Sequence, residues 1–348
     1  MGGLGAPKMH RAVLLALCAA LAAGGTASAD YLAREVGSFY VGGHEVRLQG
    51  LPSREISFTA GMAPVKVDPN GEFETGQMYV QYVKLARPTA RYPLLLWHGG
   101  GLTGVTWETK PDGKPGWQQF FLAAGHDVYV SDAVERGRAS WSRFPEIYGS
   151  EPFFRSEREA WELFRIGPPG SYDPAPEKRV AFEGERFPVA AFEQFAKEFV
   201  PRWSSNDAAT QAAYDAEVRK VCPCVIVVHS QGGNFGYNAA LNNPDLVKAL
   251  VLVEPSGAPD PAKADAARVK GIPHLVIWGD NLDRVPPWPS FRAPSERWRD
   301  AIVQAGGQVD WVELPKLGIR GNSHMMMMDD NSDQIAGIVQ DWLVKHGM

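Results

Sequence analysis

The chain has 348 residues, is 45% hydrophobic and 22% charged, and carries a formal net charge of −5. This is the composition of a globular protein with a sizeable core. Its acidic balance, with no long basic block, argues against nucleic acid as a partner. Nothing after residue 30 reaches the roughly 18 continuous apolar residues of a membrane span, so the body of the chain is expected to be soluble.

The first element is a targeting segment. Lys8, His10 and Arg11 precede an apolar run from Ala12 to about Ala23, and Ala27-Ser28-Ala29 supplies small residues at a cleavage site. This predicts residues 1–29 as a signal peptide cleaved near Ala29, with the mature chain 30–348 secreted or periplasmic. Cys18 falls inside the apolar run, which leaves Cys222 and Cys224 in the mature chain. One Cys-Pro-Cys triplet is too little for a zinc site, so no metal is expected. An oxidising compartment would let the two pair, in a small ring.

Ser38 to Gln49 reads as a hairpin turning at Gly42-Gly43, and Met78 to Leu85 as a further strand. Short apolar runs then follow at 93–97, 127–130, 225–228, 249–253 and 274–278, with a last one at 309–314. Runs of this length, rich in Val, Leu and Ile, suit strands buried on both faces of a parallel sheet. Helical patterns fall between them at 117–124, 207–220, 235–241 and 296–305, and 332–345 closes the chain. The alternation predicts an α/β fold: a mostly parallel, doubly wound sheet with an N-terminal antiparallel hairpin and a long insertion after the fourth core strand. That insertion is residues 133–205. Its 14 aromatics raise it well above the chain's 11%, which fits either a lid or a subdomain with its own core.

Two segments carry chemistry. In Val225-Ile-Val-Val-His-Ser230-Gln-Gly-Gly, an apolar strand runs through a sharp turn into a helix, the layout of a nucleophile elbow. The turn lifts the Ser230 hydroxyl above the strand ends, and the helix start offers free N–H groups to an oxyanion. The usual Gly two residues before the serine is Val228 here, so a small neighbour is required on the facing element. In Leu94-Leu-Leu-Trp-His98-Gly-Gly-Gly101, a strand ends in a glycine loop of the oxyanion type. Gly100 N–H and Gln231 N–H are the candidate donors.

A serine nucleophile needs a base. Of the seven mature histidines, His324 in Gly321-Asn-Ser-His324 lies between the last strand and the last helix, where this layout delivers one. His98 and His229 belong to the motifs as loop-shaping groups. Two carboxylates compete as the acid: Glu254, ending the strand after the elbow helix, and Asp283, after the next strand. Met325 to Met328 follow the base directly. Met325 is a candidate for an apolar substrate pocket, with at least two of the four expected to pack at the helix start. Trp107 and Trp288 are weaker pocket candidates.

The strings His98-Gly-Gly-Gly-Leu-Thr-Gly, Thr106-Trp-Glu-Thr, Pro111-Asp-Gly, His229-Ser-Gln, Val253-Glu-Pro and Gly321-Asn-Ser-His-Met-Met-Met resemble a group of secreted bacterial α/β-hydrolase esterases. The resemblance spans most of the mature chain. It implies the α/β-hydrolase fold and a Ser230–Glu254–His324 triad, with Gly100 and Gln231 as oxyanion donors. The sequence departs from the group at the oxyanion loop. Relatives have two adjacent cysteines forming a vicinal disulfide where this chain has Gly100 and Gly101.

The expected activity is therefore hydrolysis of a small-molecule ester without a cofactor. A lactonase, amidase or acyltransferase would use the same triad, and a non-catalytic binding protein on this fold is the alternative of a different class. Asp-nucleophile chemistry is excluded by Ser230 in the elbow. A homodimer is compatible with the sequence.

Overall fold

Leu94-Leu-Leu-Trp97 and Cys224-Val-Ile-Val-Val-His229 are buried along their whole length. Double-sided burial is why these runs show no polar alternation. The computed structural model describes residues 30–348, so the predicted signal peptide, with Cys18, lies outside the described residues. In chain order the strands and helices begin with β1 (Ala33–Leu48), β2 (Arg54–Ile56), β3 (Val65–Val67), β4 (Gly71–Leu85) and β5 (Leu94–Trp97). Then come α1 (Val105–Glu108), α2 (Trp117–Ala123), β6 (Val128–Asp132), α3 (Glu157–Leu163), α4 (Phe192–Ala196) and α5 (Asp207–Val221). The second half holds β7 (Cys224–His229), α6 (Gly232–Asn242), β8 (Val247–Val253), β9 (His274–Trp278), α7 (Trp288–Gln304), β10 (Val309–Glu313) and α8 (Ser332–Lys345).

Eight strands form one sheet in the order β1-β4-β6-β5-β7-β8-β9-β10. β1–β4 and β4–β6 pair antiparallel, and every pair from β6 to β10 is parallel. This is the architecture of an α/β-hydrolase. Because side chains alternate along a strand, Leu94, Leu96, Val225 and Val227 enter one core layer with α2 and α8. Leu95, Trp97, Ile226 and Val228 enter the other with α5, α6 and α7. Among the described residues no helix is long and apolar enough to cross a membrane.

The N-terminal antiparallel pairing is present, but its turn is not at Gly42-Gly43. Both glycines lie inside β1, which pairs with β4 through Val41↔Met78 and His44↔Thr75. Their φ values are +69° and +85°, and a Cβ on Gly42 would lie 2.8 Å from the Cβ of Ala213 on α5. The pair of glycines therefore bends the strand over a helix instead of reversing it. Helix α7 begins eight residues before the expected Glu296. Pro289 falls in its first turn, where no N–H is needed, and Pro294 lies within the helix. Cys222 and Cys224 are joined by a disulfide.

The insertion packs onto the sheet's own core. Trp161, Phe164, Phe187, Phe192 and Phe195 share one apolar cluster with Val225, Val227 and Met325 to Met328. An antiparallel bridge between Phe153 and Arg202 ties its first third to its last residues.

Candidate active site

Strand β7 delivers Ser230 through a turn with φ +53°, a left-handed conformation that a non-glycine residue adopts only at a cost of about 1–2 kcal/mol. The turn is locked from both sides. Ser230 N–H donates to the Val253 carbonyl at 3.0 Å, and the Ser230 carbonyl accepts from Gly233 N–H at 2.9 Å and Ser256 N–H at 3.1 Å. The small neighbour that Val228 requires is Gly236 on α6, where a Cβ would sit 2.9 Å from Val228 Cγ1.

The amides of Gly100 and Gln231 flank Ser230, and among the described residues neither donates a hydrogen bond within the protein. His98 shapes the glycine loop: its Nδ1 donates to the Gly99 carbonyl at 2.7 Å, and its Nε2 accepts from Ala133 N–H at 3.1 Å. Burial, then the charge of Arg136, pushes the His98 imidazole down to about 4, so it is neutral and can serve as both donor and acceptor.

His324 is buried, and its Nδ1 lies 2.6 Å from Glu254 Oε2. The other carboxylate oxygen of Glu254 is also filled. Arg165 Nη2 reaches Oε1 at 2.5 Å and Gly279 N–H donates to it at 2.6 Å. Gly279 must be glycine for this approach, since a Cβ there would lie 2.8 Å from Glu254 Oε1. The loop that carries His324 is braced twice more. His229 Nε2 donates to the His324 carbonyl at 3.0 Å, and His324 N–H donates to the Phe164 carbonyl at 2.9 Å. Buried Asp329 accepts from Ser323 Oγ at 2.7 Å and from Asn322 Nδ2 at 2.9 Å. Burial, reinforced by the guanidinium groups of Arg165 and Arg155, holds the His324 imidazole well below its ordinary range.

Ser230, half-buried, and His324 open into one cavity of about 280 Å³ with Gly100, Gln231 and Trp288 in its wall. A larger cavity of about 500 Å³ beside the oxyanion loop, lined by Lys110, Glu198 and Val200 among others, holds neither Ser230 nor His324.

The chain is similar to a solved protein described as a novel bacterial esterase. It is 33% identical with a TM-score of 0.78, over 92% of this chain and 98% of that one. The chain belongs to the α/β-hydrolase esterases. A curated fungal protein (Fungal sp., strain ATCC 74256), described as "Probable secreted lipase phiG", is 29% identical over 331 residues, covering 79% of this chain and 88% of that protein. No family model matches.

In this carboxylic ester hydrolase the structure does not bring to the Ser230 cavity all the residues that the sequence puts forward. Asp283 is exposed on a short 3-10 turn and makes no hydrogen bond to His324. The neighbouring Asp280 instead braces the His324 loop, accepting from Gly321 N–H at 3.0 Å. Trp107 is fully buried against Trp117, 5.6 Å between ring centroids, and lies outside the cavity wall. Met325, like Met326 to Met328, is core packing: all four are fully buried in the apolar layer. Trp288 does face the site, with its ring centroid 4.3 Å from that of His324 and its Nε1 donating to the Leu163 carbonyl at 2.7 Å.

Sequence reasoning missed Arg165. It sits in the insertion with its side chain fully buried, holds Glu254, donates from Nε to the Asp280 carbonyl at 2.7 Å and stacks 4.5 Å from the Trp288 ring. No local motif marks it. Its one signal is an arginine in an aromatic-rich insertion, and only the tertiary fold brings it to Glu254.

Proposed function

We propose that the esterase works through an acyl-enzyme on Ser230, with His324 as general base and Glu254 as the orienting acid. The observation that carries this reading is the 2.6 Å Nδ1–Oε2 pair between His324 and Glu254 at the cavity that Ser230 opens into. With Nδ1–H committed to Glu254, the Nε2 lone pair is left for the Ser230 proton. Ser230 Oγ attacks the ester carbonyl, and the charge that develops is taken up by the free amides of Gly100 and Gln231. His324 returns the proton to the departing alkoxide, which leaves as the alcohol. A water activated by the same imidazole then releases the acid. The secreted character of the fungal relative and the basic–apolar–small pattern of residues 1–29 support export, with 30–348 as the mature chain. Residues 133–205 act as a wall of the pocket.

A fluorophosphonate probe should label the wild-type protein at Ser230 and leave Ser230→Ala unlabelled. Turnover of a simple activated ester should fall in that variant by about 10⁵-fold or more. Labelling elsewhere, or hydrolysis retained by Ser230→Ala, would remove the acyl-enzyme.

A further inference from the structure

Two arginines of the insertion converge on the nucleophile's cavity, and the reaction described above uses neither. Arg155 and Arg202 lie far apart in the sequence of the insertion. They are brought together because Phe153 and Arg202 exchange backbone hydrogen bonds of 2.8 and 3.0 Å. Val200 N–H then donates to the Gly101 carbonyl at 3.1 Å, which seats the pair on the oxyanion loop. A Cβ on Gly100 would lie 2.9 Å from Arg202 Nη1, and one on Gly101 would lie 3.5 Å from Arg155 Nε. Both side chains line the cavity with Ser230 and His324, and among the described residues no carboxylate lines it.

Neither guanidinium is satisfied. Arg155 gives one nitrogen to Glu159 at 2.6 Å and stacks 4.9 Å from the Phe164 ring, yet its Nε is buried without a partner. Its side chain is only 7% exposed. Arg202 has a buried, unpartnered Nε, and among the described residues its side chain makes no hydrogen bond or ion pair. A purely structural role accounts for part of Arg155 and for none of Arg202. Buried cationic donors left unmade are costly, and two of them on one cavity repel each other. An anion between them removes both penalties. The planar fork of a guanidinium matches a carboxylate in particular.

We propose that the preferred substrates of this enzyme are esters that also carry a free carboxylate, held by Arg155 and Arg202 beside Ser230; this rests on the Ser230 acyl-enzyme reading. The carboxylate can belong to the acyl part, as in a half-ester of a short dicarboxylic acid, or to the alcohol part, as in an acylated hydroxy acid. A neutral ester strips water from the same two cations and gives nothing back.

The test compares kcat/KM for monoethyl glutarate with diethyl glutarate, and for acetoxyacetate with its methyl ester. At least one charged ester is expected to exceed its neutral counterpart by about tenfold or more, the scale of one charge-assisted hydrogen bond. In Arg202→Gln that ratio should collapse towards one or below. Binding of glutarate to Ser230→Ala, followed by calorimetry, should weaken by about tenfold or more when Arg202→Gln is added. Preference for the neutral ester in both pairs, an unchanged ratio in Arg202→Gln, or glutarate binding indifferent to Arg202 would each overturn the proposal. If Ser230→Ala kept its hydrolytic activity, the acyl-enzyme would fall, while glutarate binding on the same protein would still decide the claim about the arginines.

Discussion

Arg165 shows how a single side chain sets both the position and the basicity of the proposed base. It fills one oxygen of Glu254, so the other is left to orient His324, and its positive charge depresses the imidazole from nearby. Because a general base must be neutral, a lowered imidazole extends activity into acid. The acid limb of the wild-type kcat/KM profile should therefore lie below the ordinary histidine value of 6.5. Arg165→Met removes the charge, which lets the imidazole rise, so the acid limb should move to higher pH. It also strands a buried carboxylate, at a cost of about 3–5 kcal/mol in stability. Arg165→Lys keeps the charge but cannot span Glu254 and the Asp280 carbonyl together. It should leave the acid limb near its wild-type place while lowering kcat. An unmoved limb in a folded Arg165→Met would show that the arginine is structural only. The residues proposed as nucleophile, base and oxyanion donors, Ser230, His324, Gly100 and Gln231, were singled out in the sequence because each lies in a short string with a recognisable local turn. For the proposed acid the residues alone left Glu254 and Asp283 open, each following a strand, and the resemblance implied Glu254. In the structure, burial and the partners Arg165 and Gly279 set Glu254 apart from the exposed Asp283.

At the level of the element, the elbow depends on a close crossing of β7 and α6. A strand buried on both faces was easy to read, since apolar content alone predicts it. The exchange of the usual elbow glycine for Val228 was readable as a problem, and the fold solves it by moving the small residue to Gly236. Gly236→Ala would place a methyl group 2.9 Å from Val228 Cγ1 and should destabilise the protein by about 1–3 kcal/mol. Val228→Ala opens space at the same contact. The double variant should therefore be more stable than the sum of the two single losses predicts, a coupling that denaturant melts of all four proteins would measure. Additive losses would mean that the two elements relax apart freely. Where sequence reading failed on an element, the missing information was tertiary. Gly42-Gly43 looks like a hairpin turn until α5 is seen lying against it, and Met325 looks like a pocket residue until it is found buried in the core with the insertion's aromatics.

Across the whole molecule, charge burial predicts how stability depends on pH. Glu217 on α5 is fully buried and ties the sheet together, accepting from Trp97 Nε1 on β5 at 2.9 Å and from Ser131 Oγ on β6 at 2.8 Å. Burial pushes its carboxyl from an ordinary 4.5 up to about 8. Glu198 is likewise raised to about 8 and Glu185 to about 9. A raised carboxyl keeps its proton in the folded chain while the unfolded chain loses it. Its contribution is thus complete below pH 4.5, shrinks as pH rises and is gone above the folded value. The buried histidines act oppositely. His98 and His274, both lowered to about 4, contribute above 6.5 and cease to as pH falls towards 4. The two sets oppose each other between 4.5 and 6.5, but above 6.5 only the carboxyls still change. Melting temperature should therefore fall between pH 6.5 and 9. Glu217→Gln preserves the shape and an acceptor for Trp97 while removing one titration, so its decline over that range should be shallower than that of the wild type. Parallel curves for the two proteins would show that Glu217 is ionised in the fold, and that Trp97 and Ser131 hold it as a carboxylate.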